Sequence, residues 1–446
     1  MTRFKVLALT FSFVLASCAG VQSPSALPVP PGPNLRLHSG SSPIAHVVIV
    51  VQENRSFDNL FATFPGADGA TQGKTHTGQT VTLTAHRLTS NLVLNNGYNA
   101  WVTDYDGGKM DGFDLPYVNG HRCTCAYQYV KKDDIRPYWT MAKQYVLGDH
   151  LFQTQASGSF TAHQDLIRGD TDLSAHEAVI DFPTDGPWGC DANPSVVTTL
   201  LTDQKQYLQN QGPFPCFTWT TLRDLLDAKG VSWKYYTPTI VTHGGNLWNA
   251  FDAIHDVRYG PEWKTNVSSP ETNIFKDITN GSLPAVSWVI PDGANSDHPG
   301  QGSFGIGKDT GPSWVAQIVN AIGQSDYWGS TAIVIVWDDW GGWYDHEAPP
   351  QLDYQGLGFR VPLIVVSPYA KTGYVSHTQY EFGSILKFVE DTFGLGRLGT
   401  TDVRATSIGD VFTFKRKPRP FQKIQAKYSR SYFVHEKPSN IPVDTE

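Results

Sequence analysis

The sequence predicts an α/β protein with a largely parallel central sheet and helices on both faces. Two apolar runs rich in β-branched residues, 44–51 and 331–336, are typical of strands buried within such a sheet. Similar runs alternate along the chain with helix-like segments, which favours parallel strands connected by helices. Both runs end in carboxylate and amide side chains. In an open α/β sheet, ligands bind beyond the carboxyl ends of the strands, so these two ends indicate one shared site.

The elements follow from the hydrophobic pattern and from helix start and stop signals. Gly230, for example, ends a predicted helix at residue 229. Predicted strands cover 44–51, 231–236, 285–290, 331–337 and 361–367, and predicted helices cover 137–146, 221–229, 312–322 and 380–393. The Gly- and aromatic-rich stretches 62–136 and 237–283 are predicted to be loops near the binding edge of the sheet.

Composition limits the class of protein. The 446 residues are enough for one large α/β domain or two smaller ones, and 40% hydrophobic content argues against a disordered or fibrous chain. The net charge of -8 argues against a nucleic-acid binder. Residues 415–435 differ because they carry seven Lys or Arg and no acid. They are predicted to form a solvated basic tail, 415–446, with contact to anionic lipid as the alternative.

The N-terminus resembles a bacterial export signal. Arg3 and Lys5 precede an apolar run over 6–15, a pattern of secretory signals and not of membrane spans. The sequence Leu-Ala-Ser-Cys ending at Cys18 resembles a lipobox, which predicts a signal peptide over 1–17, lipidation of Cys18 and a Pro/Ser-rich tether over 18–43. A cell-envelope lipoprotein of a bacterium is therefore expected, with the folded domain over 44–414. An ordinary signal with a chance cysteine is the alternative.

Four further cysteines make an even number that suits an oxidising compartment. Cys190 and Cys216 are predicted to form a disulfide. Cys123 and Cys125 are one residue apart, which is too close for an easy mutual bridge. A zinc site on the four cysteines is the weaker alternative, since neither a second C-x-x-C nor paired histidines accompany them.

Oxygen-bearing side chains follow the two central runs. Glu53 and Asn54 follow the first, and Asp338 and Asp339 follow the second. Such donors suit one hard divalent cation. Asp and Asn also collect at strand ends as turn formers and helix caps, which is the alternative for either pair alone. Two such pairs in one chain favour the metal site.

A serine and three histidines are candidates for the reactive groups of a catalyst. If a helix begins near Phe160, Ser159 lies at its N-terminal end, where free N–H groups and the helix dipole favour an alkoxide and a phosphate. A simple N-cap serine is the alternative. His243, His298 and His346 each follow an apolar strand. A lone histidine is more often structural, but their common placement favours a role in catalysis.

Taken together, these segments resemble the bacterial phosphoesterase family that includes respiratory-burst-inhibiting acid phosphatases and non-specific phospholipases C, within the alkaline-phosphatase-like superfamily. The resemblance covers about residues 44–395, in family order. Its blocks are 53–58 (ENRSFD), 105–113 (YDGGKMDGF), 158–163 (GSFTAH), 296–299 (SDHP) and 337–346 (WDDWGGWYDH).

The resemblance implies an alkaline-phosphatase-like fold and a set of site residues. One divalent metal ion, which could be Ca, Mg, Mn, Fe or Zn, would be held by Glu53, Asn54, Asp338 and Asp339, with Ser159 as a further ligand and the nucleophile. The residues assigned to phosphate oxygens, to the leaving group or to substrate binding are His243, His298, His346, His163 and Lys109. The family usually has a histidine where this chain has Asn-Asn-Gly-Tyr at 95–98.

The resemblance therefore predicts a secreted, metal-dependent phosphoesterase that acts through a phosphoserine, with phospholipid the weakly preferred substrate class. An acid phosphatase strict for monoesters is the first alternative. A cell-surface carbohydrate-binding protein with a structural calcium is the second, since the chain has 13 Trp and 19 Tyr. Trp101, Tyr105, Trp340, Trp343 and Tyr344 lie near the blocks and are predicted either to pack or, less favourably, to hold a choline head group.

Overall fold

The structure is a computed structural model that describes residues 42–90, 92–240, 247–300 and 309–438. The predicted signal peptide, most of the predicted tether, Cys18 and His243 lie outside these residues.

A sheet of eight strands forms the centre of the described chain. The strands are β1 His46–Gln52, β2 Val146–Gly148, β3 Trp233–Tyr236, β4 Val267–Ser268, β5 Val286–Val289, β6 Thr331–Trp337, β7 Leu363–Val366 and β8 Tyr374–Ser376. Their order across the sheet is β4-β3-β5-β1-β6-β7-β2-β8. Neighbours are parallel except at β7, which is antiparallel to both β6 and β2. The predicted α/β class with a mostly parallel sheet is confirmed.

The central strands β1 and β6 determine where the site lies. They pair in register from His46 with Thr331 to Gln52 with Trp337. Every residue of β6, and every residue of β1 after the first, is buried. Because consecutive strand residues point to opposite faces, this burial means that both faces are covered, which explains the unbroken β-branched runs. The shared register brings the residues that follow both strands to the same level.

The four predicted helices are present with ends within about two residues of the predicted ones, and a helix also begins near Phe160, whereas the other described helices were not predicted. They are α1 Phe57–Phe61, α2 Tyr98–Tyr105, α3 Arg136–Gln144, α4 Ser159–Arg168, α5 Leu222–Lys229, α6 His255–Arg258, α7 Glu262–Thr265, α8 Asn273–Thr279, α9 Gly311–Gly323, α10 Phe382–Phe393, α11 Thr401–Arg404 and α12 Arg430–His435. A capping box of Thr221 and Asp224 begins α5, and Gly230 ends it in the left-handed conformation. Among the described helices, none is long and apolar enough to span a bilayer.

Smaller elements occupy much of the two predicted loop stretches. Stretch 62–136 contains three strand pairs, which are Gln72–Lys74 with Thr80–Thr82, Thr84–His86 with Gln128–Val130, and Tyr117–Val118 with His121–Arg122, and stretch 237–283 contains α6, α7, β4 and α8. Outside both stretches, one four-stranded antiparallel sheet comprises Asp172–Ser174, Glu177–Ile180, Thr199–Thr202 and Tyr207–Leu208. The aromatic residues near the blocks pack in a second hydrophobic cluster. Trp101 stacks on Tyr105 at 4.6 Å between ring centroids, and the Trp340 ring meets Phe359 edge-on at 5.3 Å. These aromatic residues therefore pack against one another, which was the favoured prediction for them.

Two sequence expectations differ from the structure in the sheet. Residue 146 was expected to end a helix, but α3 ends at Gln144 and Val146 begins β2. The strands β2, β4 and β8 were not predicted at all. Each has only two or three residues, so no apolar run marks it and pairing alone defines it.

The basic C-terminal segment packs on the domain through its apolar residues and its backbone. Ile424 is fully buried, and its backbone N–H and C=O both bond the Asn320 side chain of α9 at 2.8 Å. Phe433 packs against Trp314 at 5.4 Å between ring centroids. Lys427 pairs with Asp309 at 2.8 Å. Most of the segment's basic side chains nevertheless remain in solvent, and Lys427, for example, is 63% exposed.

Both cysteine pairs are disulfides. The predicted Cys190–Cys216 bond is confirmed. Cys123 and Cys125 are also bonded, contrary to expectation. The chain bends at Thr124, so the two Cα atoms are 5.2 Å apart, which lies within the ordinary range for a disulfide.

Candidate active site

The two oxygen-rich segments meet beyond the carboxyl ends of β1 and β6. The backbone N–H of Asn54 donates to Asp338 Oδ1 at 2.8 Å, and its side-chain Nδ2 donates to Asp339 Oδ2 at 3.2 Å. Asn54 has φ 55°, a left-handed turn directly after β1. Opposite it, Gly341 has φ 62°, and a Cβ there would lie 2.2 Å from the Asn54 carbonyl oxygen. These turns let neighbouring residues of each segment face one site.

Ser159 is the first residue of α4 and faces the same cluster. Its Oγ donates to Asp339 Oδ2 at 2.9 Å and lies 3.4 Å from Asn54 Oδ1. Gly158 is the N-cap, so Ser159 does not act as a capping side chain. The N-cap alternative for Ser159 is therefore wrong. Its hydroxyl lies at the N-terminus of a ten-residue helix and is aimed at a carboxylate.

Asn96 is a site residue that sequence reasoning did not assign. Its Nδ2 donates to Asp339 Oδ2 at 2.9 Å, and the residue is only 3% exposed. It lies in segment 95–98, the place where the chain departs from the usual histidine of the family. That departure was the signal that could have identified it.

His163 lies one helical turn after Ser159 on α4 and contacts the carboxylates. Its Nε2 is 3.1 Å from Glu53 Oε1 and 3.9 Å from Asp338 Oδ2. These three buried residues have donor atoms within 4.8 Å of one another, an arrangement that could hold a metal ion. His163 was predicted to bind substrate; its contacts are with the carboxylates of the predicted metal site.

The electrostatics of the cluster favour a cation. Burial, and then the charge of Asp338, raises the pKa of Glu53 well above its usual value, and the same two causes raise the pKa of Asp339. Asp338 Oδ2 is buried without a hydrogen-bond partner. Among the described residues no Lys or Arg forms an ion pair with Glu53, Asp338 or Asp339. Buried carboxylates are costly without a positive partner, so this oxygen-rich set fits a divalent cation.

His298 lies close enough to Asp338 to feel its charge, and a hydrogen bond fixes which ring nitrogen carries the proton. Its Nδ1 donates to the Pro299 carbonyl at 2.6 Å, so Nε2 carries the lone pair in the neutral ring. Burial lowers the pKa of His298, and also that of His163, to about 4. Trp248 stacks on both rings, at 5.8 Å from His298 and 6.5 Å from His163 between centroids. No sequence signal distinguished Trp248 from other aromatic residues.

Two other predicted site residues make their contacts elsewhere. His346 Nδ1 donates to Asp58 Oδ2 at 2.7 Å, and its Nε2 is 3.4 Å from Asp68. Lys109 is on the surface, 67% exposed and paired with Asp106 at 2.6 Å. Among the described residues no hydrogen bond or ion pair joins either side chain to Ser159 or to the carboxylates around it.

Comparisons with known proteins agree with the blocks. A sequence model described as "Phosphoesterase family" matches residues 44–396. The non-hemolytic phospholipase C of Pseudomonas aeruginosa is 26% identical over 85% of this chain, which spans 58% of that relative's length. Phospholipase C B of Mycobacterium tuberculosis is 25% identical over 90% of this chain and 83% of its own.

More distant similarity is also present. The non-specific phospholipase C4 of Arabidopsis thaliana is 24% identical over 80% of this chain and 69% of its own. Among solved structures, a protein in the alkaline phosphatase superfamily from Vibrio parahaemolyticus superposes with a TM-score of 0.38 and 10% identity, over 82% of this chain and 72% of that one. Since the family match covers well over half of the sequence and includes both segments that form the site, the chain belongs to the phosphoesterase family.

Proposed function

We propose that the protein hydrolyses phosphate esters through Ser159 as the nucleophile, with phospholipase C-type phosphodiesters as the preferred class. The observation that carries this proposal is the Ser159 hydroxyl, which lies at the start of α4 and donates to Asp339 Oδ2 at 2.9 Å. A carbohydrate-binding protein with a structural calcium would not need a serine at this place. Support for the substrate class comes from the named relatives, which are phospholipases C.

Glu53, Asn54, Asp338 and Asp339 are the residues that would hold one divalent cation, with Ser159 Oγ as a further ligand. Such an ion would lower the pKa of the serine hydroxyl and offset the negative charge of the phosphoryl oxygens. Asp339 orients Ser159 Oγ, and Asn96 in turn orients Asp339 through the same Oδ2 atom. His163 holds the Glu53 carboxylate in place.

The reaction has two halves. In the first, Ser159 Oγ gives its proton to Asp339 Oδ2 and forms a bond to phosphorus, the bond from phosphorus to the leaving oxygen breaks, and a phosphoserine results. In the second, water attacks phosphorus, the bond from phosphorus to Ser159 Oγ breaks, and Asp339 returns the proton to Oγ. The His298 Nε2 lone pair suits it as the base that takes a proton from this water, and the charge of bound phosphate favours the protonated ring, which then protonates a leaving alkoxide in the next turnover. His243 stays a second candidate for this proton transfer, as the resemblance implies.

The finer parts of the proposal concern location and substrate. Export and lipid attachment at Cys18 would bring the enzyme to a membrane surface, where phospholipid is available. The buried aromatic cluster offers no exposed cradle for choline, so preference for diesters would come from the site itself.

Two experiments test the proposal. Acid quenching during turnover, followed by peptide mass spectrometry, should find phosphate on Ser159 and on no other residue. Comparing kcat/KM for p-nitrophenyl phosphorylcholine and p-nitrophenyl phosphate tests the substrate class. A diester value more than about a hundredfold below the monoester value, roughly 2.7 kcal/mol in transition-state binding, would favour a strict phosphatase. If neither substrate released p-nitrophenol, the proposed phosphoesterase activity would be rejected.

A further inference from the structure

A second group of histidine and carboxylate side chains lies apart from Ser159. We call it the outer cluster and define it as His346, Asp68 and Glu347. We propose that the outer cluster is a second metal site, for a first-row divalent transition metal of the Zn²⁺ type. Its ligands would be His346 Nε2 and the carboxylates of Asp68 and Glu347.

His346 is held in the orientation that a metal-binding histidine needs. Its Nδ1 donates to Asp58 Oδ2 at 2.7 Å, and the Asp58 side chain is fully buried. Arg360 Nη2 lies 3.2 Å from the same Nδ1, which is a longer contact. A carboxylate cannot donate, so the shorter bond to Asp58 keeps the proton on Nδ1, and Nε2 carries the lone pair in the neutral ring. A histidine fixed by a carboxylate in this way is the usual arrangement beside a bound metal.

The Nε2 atom of His346 faces an exposed carboxylate, since it lies 3.4 Å from Asp68 Oδ1. This distance exceeds the range of about 2.7–3.2 Å for N–H···O hydrogen bonds. It equals the separation of about 3.4 Å between two ligands of a tetrahedral ion whose bonds are about 2.0–2.1 Å long. Glu347 also belongs, since Asp68, His346 and Glu347 have donor atoms within 4.8 Å of one another.

Charge and exposure also suit a cation. The outer cluster and the side chains behind it bring together four acids and one buried guanidinium: Asp58, Asp68, Asp345, Glu347 and Arg360. With ionised carboxylates, the acids outnumber the cations even when His346 is protonated, so a divalent ion in place of that proton would offset this excess of negative charge. Asp68 is 43% exposed, so an ion can reach it from solvent, while Asp58, which orients His346, is buried. The mixed nitrogen and oxygen donors favour Zn²⁺-type ions over Ca²⁺ or Mg²⁺.

An ion here would join two segments that also supply the Ser159 site. Asp58 follows Asn54 by four residues, and His346 follows Asp339 by seven. Because the bound ion would hold the chain after β1 against the chain after β6, the expected effect is on stability more than on turnover.

The test uses the full-length protein after removal of metal with a chelator. Zn²⁺ is titrated by calorimetry, and Co²⁺ is added to a second sample to follow the visible absorption of a tetrahedral site. Wild type should bind two equivalents, and Asp68→Asn should lose one class of sites or bind it at least tenfold more weakly. The matched control is His176→Gln, which removes an exposed histidine whose Nδ1 is 2.6 Å from Asp203. It should bind as wild type does.

The alternative is that protonated histidines form plain ion pairs with Asp68. Identical Zn²⁺ binding by wild type and Asp68→Asn would support ion pairs and overturn the proposal, whatever the number of equivalents that wild type binds. Glu347→Gln gives a second test if Asp68→Asn does not fold. Ser159→Ala removes a proposed ligand of the first cation but should keep the class of sites that Asp68→Asn loses, so failure of the proposed phosphoesterase reaction and failure of the outer site would give different results.

Discussion

The Ser159 site and the outer cluster are built from the same two chain segments, yet they treat histidine in opposite ways. In the first, His298 donates from Nδ1 to a backbone carbonyl, and burial lowers its pKa to about 4. In the second, burial opposes protonation of His346, but the hydrogen bond and charge of Asp58 raise its pKa to about 9. The partner at Nδ1 therefore decides which histidine is neutral near pH 7.

This difference separates two kinds of site. Neutral, buried histidines beside carboxylates suit proton transfer and an anionic substrate. Histidines fixed by buried carboxylates suit either an ion pair or a bound metal. The following predictions test that separation, from the largest expected effect to the smallest.

Replacing Ser159 by alanine should reduce kcat by about a thousandfold or more, because no other described hydroxyl bonds Asp339. The measurement is turnover of both p-nitrophenyl substrates. The control is Thr161→Val on the same helix, which removes a buried hydroxyl that donates to the Gly158 carbonyl. Thr161→Val should lose stability and keep its kcat. Retention of a tenth of the wild-type kcat by Ser159→Ala would rule out the covalent route.

Replacing Asp338 by asparagine should lower the affinity of the Ser159 site for its cation by about a hundredfold and reduce kcat accordingly, while the outer cluster still binds Zn²⁺. Asp338 is fully buried and its Oδ2 has no hydrogen-bond partner. The substitution therefore removes a buried negative charge that the proposed cation would balance. Calorimetry on Asp338→Asn and Asp68→Asn should show complementary losses. If Asp338→Asn removed both classes of sites, the two regions would not be independent.

The strands β1 and β6, which position both regions, could be predicted from the sequence because each is a continuous run of apolar residues. The runs at β1 and β6 determine their own structure, and the pairing of these strands brings Glu53 and Asn54 to Asp338 and Asp339. Asn96 and Trp248 could not be predicted, since they lie in loops whose positions depend on packing far along the sequence.

The assignment of His346 shows the same limit. Its block was recognised from the sequence. Gly341 and Gly342, both at positive φ, turn the chain after Asp339, and His346 then reaches Asp58 at the start of α1. Only the folded structure reveals that His346, seven residues after the proposed metal ligand Asp339, contacts a different group of side chains.

Stability should depend on pH in the metal-free protein. His346 has a folded pKa of about 9 against a usual value of 6.5. Its contribution is therefore fully present below pH 6.5 and is lost as the pH rises through 9. The amount is on the order of 2–3 kcal/mol. Urea unfolding of wild type and His346→Gln in chelator measures it, and the two profiles should converge above pH 9. Parallel profiles across this range would show that His346 is not a protonated ion-pair partner.

The smallest effect is expected for Lys109, which was predicted to bind substrate. Its ammonium pairs with Asp106 on the surface, three residues away, and 67% of its side chain is exposed. Exposed pairs of this kind contribute little because water screens them, so Lys109→Met should change kcat/KM less than about threefold and leave both proposed metal sites intact. Lys143→Met is a suitable control, since Lys143 lies on α3 with its ammonium 5.8 Å from the centre of the Trp139 ring. A tenfold rise in KM for Lys109→Met alone would mean that residues 105–113 move onto the substrate, and would return Lys109 to the substrate-binding role that the sequence predicted.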